Sequence, residues 1–521
     1  MQKLPVGRQN FKKIRENNYL YVDKTKYILE MINHGDINFL SRPRRFGKSL
    51  LLSTLKELFE GNKKLFKDLY IYDKWDWEES YPVITLDFGG GEYDSLKNLD
   101  DKLQDMVSNK AREFNIELYS TTIGERFKEL IIGVYKKTKK DVVILIDEYD
   151  KPIISNLKNK ELSNIQKKLG SFYEILKVAD EYIKFIFITG ISKIAHVSVF
   201  SKLNSPKDLT LNSKFNCICG YTQEELEYFF KNYIEKLSKK LDYSYNECLN
   251  YIKLYYDGYS WNGKETVYNP FSTLLCFDEE EFSKNWFNTG TPSVLIDYPM
   301  SKYTIKSIVE PSSVTDDEIK NPSSDNIKEE VLLFQTGYLT VEKFKRERIG
   351  AIYDLKIPNF EVESAFFENL ITLYSNISYI DFLDYADKLL EYTIEGNEEK
   401  IIKTIGDYLS PIPYELKGDD EKYYHSIIFL LLYTARVHVH NELHSNKGSA
   451  DLIIEEGDYV IILEFKQSKD STIDYMIKKG FKQIEEKEYS RQYKNKKIIK
   501  TVIAFKDRKE DKELGCKIVK E

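Results

Sequence analysis

The sequence predicts an α/β protein with a parallel, helix-flanked sheet in its N-terminal part, a mostly helical middle region and a smaller C-terminal α/β domain. In the first half, short apolar runs alternate with helical patterns, which is typical of strands buried on both faces of a parallel sheet. After residue 423 the pattern changes to a helix, three strands, a helix and a last strand. We therefore expect domains at 1–220, 221–410 and 411–521.

The first sheet is predicted from four apolar runs of four to seven residues. In the helical stretch at 50–60, which follows the first of them, Leu51, Leu55 and Leu58 share one face. A second helical pattern begins at Thr222, a good N-cap that is followed by acidic residues. The polar segment at 310–326 is expected to be a loop. The four runs are Ile37–Leu40, Pro82–Phe88, Val142–Asp147 and Lys184–Thr189.

The composition excludes several classes of protein. Hydrophobic residues make up 42% of the 521 residues, enough for two to four domains to have a core each. The net charge of −7 argues against a uniformly basic nucleic-acid coat, but it permits a local basic cleft. Five scattered cysteines predict neither a disulfide framework nor, at Cys217 and Cys219, a zinc site. Neither a signal peptide nor a long apolar segment is present, so we expect a cytoplasmic protein without a membrane partner.

The segment INFLSRPRRFGKSLLL, at 37–52, has the strand–loop–helix pattern of a Walker A phosphate-binding loop. Lys48 would contact the β- and γ-phosphates of ATP, Ser49 would ligate Mg²⁺, and Gly47 would let the backbone approach the phosphates. The usual first glycine of the motif is replaced by Arg42. The other residues expected around the nucleotide are Arg44, Arg45, Phe46 and Leu50. Arg44 and Arg45 either contact phosphates, act as arginine fingers on a neighbouring subunit, or are simply solvated.

A second element of an ATPase is DVVILIDEYD, at 141–150. Asp147 is placed to hold Mg²⁺ and Glu148 to polarise the attacking water. The alternative is a strand that ends in a solvated acidic turn, but both motifs in the expected order favour the ATPase. Thr189, at the end of another apolar run, either senses the γ-phosphate or belongs to an ordinary Thr-Gly turn.

Two strands near the C-terminus bring acidic residues together. Glu464 and Lys466 end an apolar strand on the same face, and Asp451 lies on the preceding, antiparallel strand. Two carboxylates can bind Mg²⁺ or Mn²⁺, and the lysine can stabilise charge on a phosphate. This set suits hydrolysis of a phosphodiester by metal-activated water. The alternative is a salt bridge between Lys466 and either carboxylate.

Residues on both sides of this pair extend the candidate site. Glu442 is a further candidate metal ligand, on a predicted strand face that also carries three histidines. Gln483 lies on the following predicted helix, next to basic residues that either track a phosphate backbone or form a solvated face. The histidines are His438, His440 and His444, and the basic residues are Lys478, Lys479, Lys482, Lys494, Lys496 and Lys497.

With these residues in place, the chain resembles a bacterial family that joins an AAA-ATPase-like domain to a C-terminal PD-(D/E)XK nuclease-like domain. The similar stretches include LPVGRQNFKKIRENNYLYVDKT, SRPRRFGKSLLLSTL, ILIDEYDKPI, DGYSWNGKETVYNPFS and ADLIIEEGDYVIILEFK. The Walker A of this family also lacks the first glycine. The resemblance implies a nucleotide site at Lys48, Ser49, Asp147 and Glu148. It also implies a nuclease site at Asp451, Glu464 and Lys466, supported by Glu442 and Gln483.

One departure from the family is the stretch before the first catalytic acid. Similar proteins often have Gly-Arg-x-Asp there, whereas this chain has Gly448, Ser449 and Ala450 before Asp451. The missing arginine leaves the carboxylate intact but removes a phosphate or structural contact.

The sequence therefore predicts a protein that binds and hydrolyses ATP with Mg²⁺ and is coupled to a divalent-metal-dependent nuclease, with a role in defence or in handling mobile DNA. We expect DNA rather than RNA as the nucleic acid, and a homo-oligomer, since related ATPases often act as assemblies. The alternative is a nucleotide-switched regulatory protein whose nuclease-like domain is catalytically inactive.

Overall fold

The computed structural model describes residues 1–157, 159–193, 206–284, 312–320, 322, 327–347, 350–375, 377–410, 431, 452–456, 458–468, 470–486, 493, 496–508 and 511–521. Contacts divide the chain into two compact units, one of 1–299 with 310–363 and one of 300–309 with 364–521. Apart from Leu431, the helix predicted after residue 423 and the first strand predicted after it lie outside the described residues.

The first unit contains a sheet of five parallel strands, and the four apolar runs of the sequence form four of them. The strand order is β2-β3-β4-β1-β5. The fifth strand, which pairs with β1, is only two residues long and therefore had no recognisable pattern. The strands are β1 (Ile37–Ser41), β2 (Val83–Asp87), β3 (Val142–Asp147), β4 (Ile183–Gly190) and β5 (Lys207–Asp208).

Helices cover both faces of this sheet, as predicted. Ile144 and Ile146 of β3 belong to a core that includes residues of α4, α5 and α7. On the other face Phe59 of α3 packs against Phe185 of β4, with ring centroids 5.1 Å apart. The helices are α1 (Phe11–Glu16), α2 (Thr25–His34), α3 (Lys48–Phe59), α4 (Leu96–Phe114), α5 (Ile123–Thr138), α6 (Lys151–Ile154) and α7 (Leu162–Val178), with 3₁₀ turns at Lys63–Phe66 and Asp180–Tyr182.

Four helices follow the sheet, as the sequence predicted for the start of the middle region. The first begins in a capping box, in which Thr222 accepts a hydrogen bond from the backbone of Glu225 and the Glu225 side chain accepts one from the backbone of Thr222. The four helices pack around a core of their own, which includes Phe230 and Ile252. They are α8 (Gln223–Phe229), α9 (Lys231–Leu241), α10 (Tyr245–Tyr256) and α11 (Pro270–Glu279).

A small antiparallel sheet, ordered β6-β8-β7, completes the first unit. The prediction of a loop at 310–326 was wrong for residues 312–320, which form a strand and a short helix. Polar side chains hid these elements, because only Val314 and Ile319 are buried there. The elements are β6 (Ser312–Thr315), α12 (Asp316–Lys320), α13 (Glu329–Thr336), β7 (Thr340–Glu347) and β8 (Gly350–Lys356).

The second unit contains a four-stranded mixed sheet, ordered β12-β11-β10-β9. Strands β10 and β11 are parallel, and the two outer strands pair antiparallel to them. The last strand was missed in the sequence, because its polar residues hide the alternation. The elements are α14 (Phe360–Ser375), which spans the division between the units, α15 (Tyr379–Glu395), α16 (Glu398–Leu409), β9 (Leu452–Glu456), β10 (Tyr459–Ser468), α17 (Ile473–Glu486), β11 (Lys497–Arg508) and β12 (Asp511–Lys520).

Two further expectations concern cysteines and membranes. All five cysteines are buried free thiols. Within the described part of the chain, no helix combines the length and the apolar character that a membrane span requires.

Gly258 allows a close backbone contact within the first unit. Its φ of +103° is one that other residues rarely adopt, and a Cβ atom there would overlap the carbonyl oxygen of Pro358. We predict that Gly258→Ala lowers the free energy of unfolding by about 1–3 kcal/mol, measured by thermal or denaturant unfolding. Gly90→Ala is the control, because its Cβ would meet no atom within 4 Å. Equal stability of the two variants would contradict this assignment.

Candidate functional sites in the two units

The first candidate site is the loop between β1 and α3. Gly47 has a φ of +88° and forms the N-cap of α3. No described side chain caps this helix, so its first N–H groups are left for another acceptor. A Cβ atom on Gly47 would meet nothing within 4 Å. An open loop with free N–H groups at a helix N-terminus fits a phosphate group.

Arg42 replaces the first glycine of the loop, and its side chain is fully buried. Its guanidinium donates hydrogen bonds to the carbonyl oxygens of Ser41 (2.9 Å), Thr210 (3.1 Å) and Phe215 (2.8 Å). It also stacks on Trp261, 3.8 Å from the ring centroid. Burial lowers the pKa of Arg42 to about 10, so the side chain stays charged at neutral pH. Arg42 thus joins the loop to two later segments of the chain.

Aromatic residues after α10 hold the rest of the loop. Phe46 is buried and packs edge-on against Tyr259 and Trp261, with centroids 4.7 and 5.7 Å apart. Arg45, with a φ of +67°, is exposed and stacks on Phe271, 4.6 Å from the ring centroid. The loop conformation is therefore fixed from outside the sheet.

The remaining predicted loop residues differ in their exposure. Arg44 is half-buried. Burial raises the pKa of Tyr338, and the positive charge of Arg44 partly lowers it again. Leu50 is half-buried on α3, and its carbonyl oxygen accepts a hydrogen bond from Thr54.

Lys48 bends back onto the loop. Its Nζ donates to the carbonyl oxygens of Arg42 (2.9 Å) and Pro43 (2.8 Å). Burial lowers the pKa of Lys48, while the charges of Asp147 and Glu148 oppose that shift. The lysine is thus held beside the loop and near both acids at the end of β3.

Acidic residues meet at the carboxyl ends of β2 and β3. Asp147 is buried, and burial raises its pKa although Ser49 donates a hydrogen bond to it and Lys48 lies nearby. Glu148 has a φ of +50°, and its carboxylate passes close to Gly89. Ser49 and Asp147 supply the hydroxyl and carboxylate that a Mg²⁺ ion of an ATPase would use.

Asp87 was missed in the sequence, although it ends its apolar strand just as Asp147 ends β3. It pairs in register with Asp147, and its Oδ1 accepts the N–H of Gly89 at 2.7 Å. Its charge raises the pKa of Asp147. The sequence signal was the stretch LDFGG, in which an acid ends a buried strand. The same pattern identified Asp147 on the neighbouring strand β3.

Strand β4 carries the predicted nucleotide-site residue Thr189 and separates the two motif strands. Thr189 is fully buried and donates its hydroxyl to the carbonyl oxygen of Leu40 at 2.9 Å, so it joins two strands. In the sheet, β4 lies between β1 and β3. Asp150, which follows β3, is buried and accepts the N–H groups of Ile191 and Ser192. These bonds fix the chain just after β4.

The second candidate site lies on β10 in the other unit. Glu464 is fully buried, whereas 17% of the Lys466 side chain is exposed. Lys466 Nζ lies 2.6 Å from Glu464 Oε2, and Gln483 of α17 donates to Glu464 Oε1 at 2.7 Å. The structure thus brings three of the predicted residues together. A buried carboxylate with a lysine and an amide is suited to a metal-assisted reaction at phosphate, and equally to a structural ion pair.

Several predicted residues of this site cannot be placed. Asp451, Glu442 and the three histidines lie outside the described residues. Within the described part, no three His, Cys, Asp or Glu side chains are grouped as a metal site. Three predicted basic residues, Lys478, Lys479 and Lys482, are exposed on α17. The same helix exposes 60% of Tyr475.

Comparisons with known proteins match a different family at each of the two candidate sites. Residues 5–200 match the family described as predicted AAA-ATPase. Residues 419–513 match a family of the PD-(D/E)XK nuclease superfamily. The chain is also 34% identical, over 472 residues, to an uncharacterized protein encoded in the vnfD 5′ region of Azotobacter chroococcum mcd 1. That similarity covers 89% of each chain.

Arg42 provides a test of the first site. We predict that Arg42→Gly, which restores the usual glycine, lowers the free energy of unfolding by about 3 kcal/mol, because three buried carbonyl groups lose their donor. ATP affinity should fall too, since the backbone that holds Lys48 is released. Arg45→Gly is the matched control for stability in the same loop, because Arg45 is exposed and its φ of +67° suits glycine. Denaturant unfolding and ATP titration measure both effects, and an unchanged Arg42→Gly protein would contradict the role of Arg42.

Proposed function

This chain belongs to the family of AAA-ATPase-like proteins with a C-terminal PD-(D/E)XK nuclease-like domain, and we propose that it hydrolyses ATP and cuts DNA with a divalent metal. The nucleotide state of the first domain controls the second. The observation that carries the proposal is the Lys466–Glu464–Gln483 cluster, in which a buried carboxylate and a lysine lie on one strand face. A role in defence or in handling mobile DNA is the biological setting we propose.

For ATP hydrolysis we assign roles from the geometry of the first site. The N–H groups of the loop and of α3 bind the phosphates, and Lys48 turns from the loop carbonyls to the β- and γ-phosphates. Ser49 and Asp147 would hold Mg²⁺, which would offset negative charge on the phosphates. Glu148 orients the attacking water.

For DNA cleavage, Glu464 and Asp451 would hold a divalent metal, supported by Glu442, and the metal would supply an activated water and neutralise charge on the phosphodiester. Lys466 moves from Glu464 to the phosphate and stabilises the negative charge that develops there. Gln483 orients Glu464 by its hydrogen bond to Oε1.

A second candidate function is a nucleotide-switched binding protein with an inactive nuclease-like domain. One observation favours it: both oxygens of Glu464 already have partners, Lys466 and Gln483. If these contacts persist with metal present, the cluster is a structural ion pair within the sheet. Such a domain would bind DNA or a partner without cutting.

Cleavage of plasmid DNA and short oligonucleotides with Mg²⁺ or Mn²⁺, with and without ATP, tests the proposal. We predict that Lys466→Ala reduces the cutting rate by at least about 100-fold, because the cation at the phosphate is lost. Lys48→Ala should retain the nuclease site but lose the response to ATP. Lys506→Ala is the control, since Lys506 also pairs with a glutamate, Glu513 at 3.3 Å, on the same sheet.

Three outcomes of this assay are informative. Cutting that survives in Lys466→Ala would refute the assigned nuclease site. Wild-type cutting that depends on Lys466 but does not respond to ATP would refute the proposal that the nucleotide controls the nuclease. No cutting by wild-type protein that binds ATP would favour the second candidate function.

The exposed lysines of α17 provide a separate prediction. If Lys479 and Lys482 contact DNA phosphates, each alanine variant reduces the slope of log K against log salt concentration by about 0.9 for duplex DNA. Lys388, an exposed helical lysine of α15, is the control. Binding is measured by fluorescence anisotropy without divalent metal, so that cleavage does not interfere. Slopes equal to that of the wild type would show that this helix face is only solvated.

A further inference from the structure

A small cavity lies beside the phosphate loop, inside the first unit. Its volume is about 10 Å³, which is enough for one water molecule or one monatomic ion. The lining includes Arg42 and Pro43 of the loop and Gln335 of α13. It also includes Lys193, Thr210 and Trp261. The cavity therefore lies where the loop, the end of the sheet and the small-sheet region meet.

Two hydrogen-bond donors of this lining lack an acceptor. Among the described residues, neither Nε of Arg42 nor Nε2 of Gln335 has a partner, and both atoms are buried. The other groups of the same side chains are satisfied: the Arg42 Nη atoms bind three carbonyls, and Gln335 Oε1 accepts the N–H of Lys193 at 3.1 Å. Buried donors rarely stay without an acceptor, because the lost hydrogen bond to water is not replaced.

Positive charge exceeds negative charge around the cavity. Lys193 is buried and forms an ion pair with Asp208. Arg42 is also buried, and the charge of Asp208 acts on it, but within the described residues no carboxylate forms an ion pair with it. A buried cation without an anion in contact with it is costly.

We propose that this cavity binds one chloride ion, which accepts hydrogen bonds from Arg42 Nε and Gln335 Nε2. A chloride ion supplies both the missing acceptor and the missing negative charge, whereas a water molecule supplies only the acceptor. Its position ties α13 to the phosphate loop. Because the carbonyl groups of Arg42 and Pro43 hold Lys48, the ion stabilises the segment of the loop on which the lysine rests.

Thermal unfolding of the full-length protein in sodium chloride and in sodium gluconate, at equal ionic strength, tests this proposal. Wild-type protein should unfold about 2–4 °C higher in saturating chloride, because a ligand of the native state stabilises that state. Gln335→Glu places a carboxylate at the same position, and its unfolding temperature should be the same in both salts. Gln104→Glu, on α4 outside the cavity lining, adds the same charge and should keep the chloride response.

Crystals of the full-length protein grown in sodium bromide show directly whether a halide ion or a water molecule occupies the cavity. An anomalous peak between Arg42 and Gln335 would confirm the halide, and a peak without anomalous signal would show a water and overturn the proposal. Equal unfolding temperatures of wild-type protein in the two salts would overturn it too. If Gln335→Glu does not fold, Gln335→Met removes the donor at similar length and should lose the chloride response, and a retained response would overturn the proposal.

Discussion

The buried guanidinium of Arg42 fixes the phosphate loop, and the arrangement of the first site depends on it. The charge is desolvated, so it requires acceptors, and it finds them in carbonyl groups of β1 and of the segment around residues 210–215. The loop is then unable to move independently of those segments or of Trp261. Since Lys48 is held by the carbonyl groups of Arg42 and Pro43, the position of the lysine follows from that of the arginine.

Much of the first site was predictable from local sequence. A buried strand followed by Gly47, Lys48 and Ser49, and another followed by Asp147 and Glu148, are local patterns, and parallel strands bring their carboxyl ends to one edge. The contacts of Arg42 and the burial of Thr189 were not predictable, because their partners lie far away in sequence. The small sheet was missed because β6 is only four residues long and much of β7 is exposed and polar.

The C-terminal site illustrates a different limit of prediction. Strand alternation correctly placed Glu464 and Lys466 together, and Gln483 reaches them from the following helix. The same geometry serves a metal site and a structural ion pair, since fold and residue type do not determine whether a site is active. What separates the two is the competition between a divalent ion and Lys466 for the carboxylate oxygens of Glu464.

Binding of Mn²⁺ to the nucleotide-free protein, followed by electron paramagnetic resonance, tests the central claim of a metal-dependent nuclease site most directly. A working site predicts a bound Mn²⁺ that is lost in Glu464→Gln, in Asp451→Asn, or in both, while Asp147→Asn retains it. Lys466→Met should bind the ion at least as tightly, because the competing cation is gone. Wild-type protein that binds no Mn²⁺, or a bound ion that persists unchanged in both C-terminal variants, would contradict the claim and leave Lys466 and Glu464 as a structural pair.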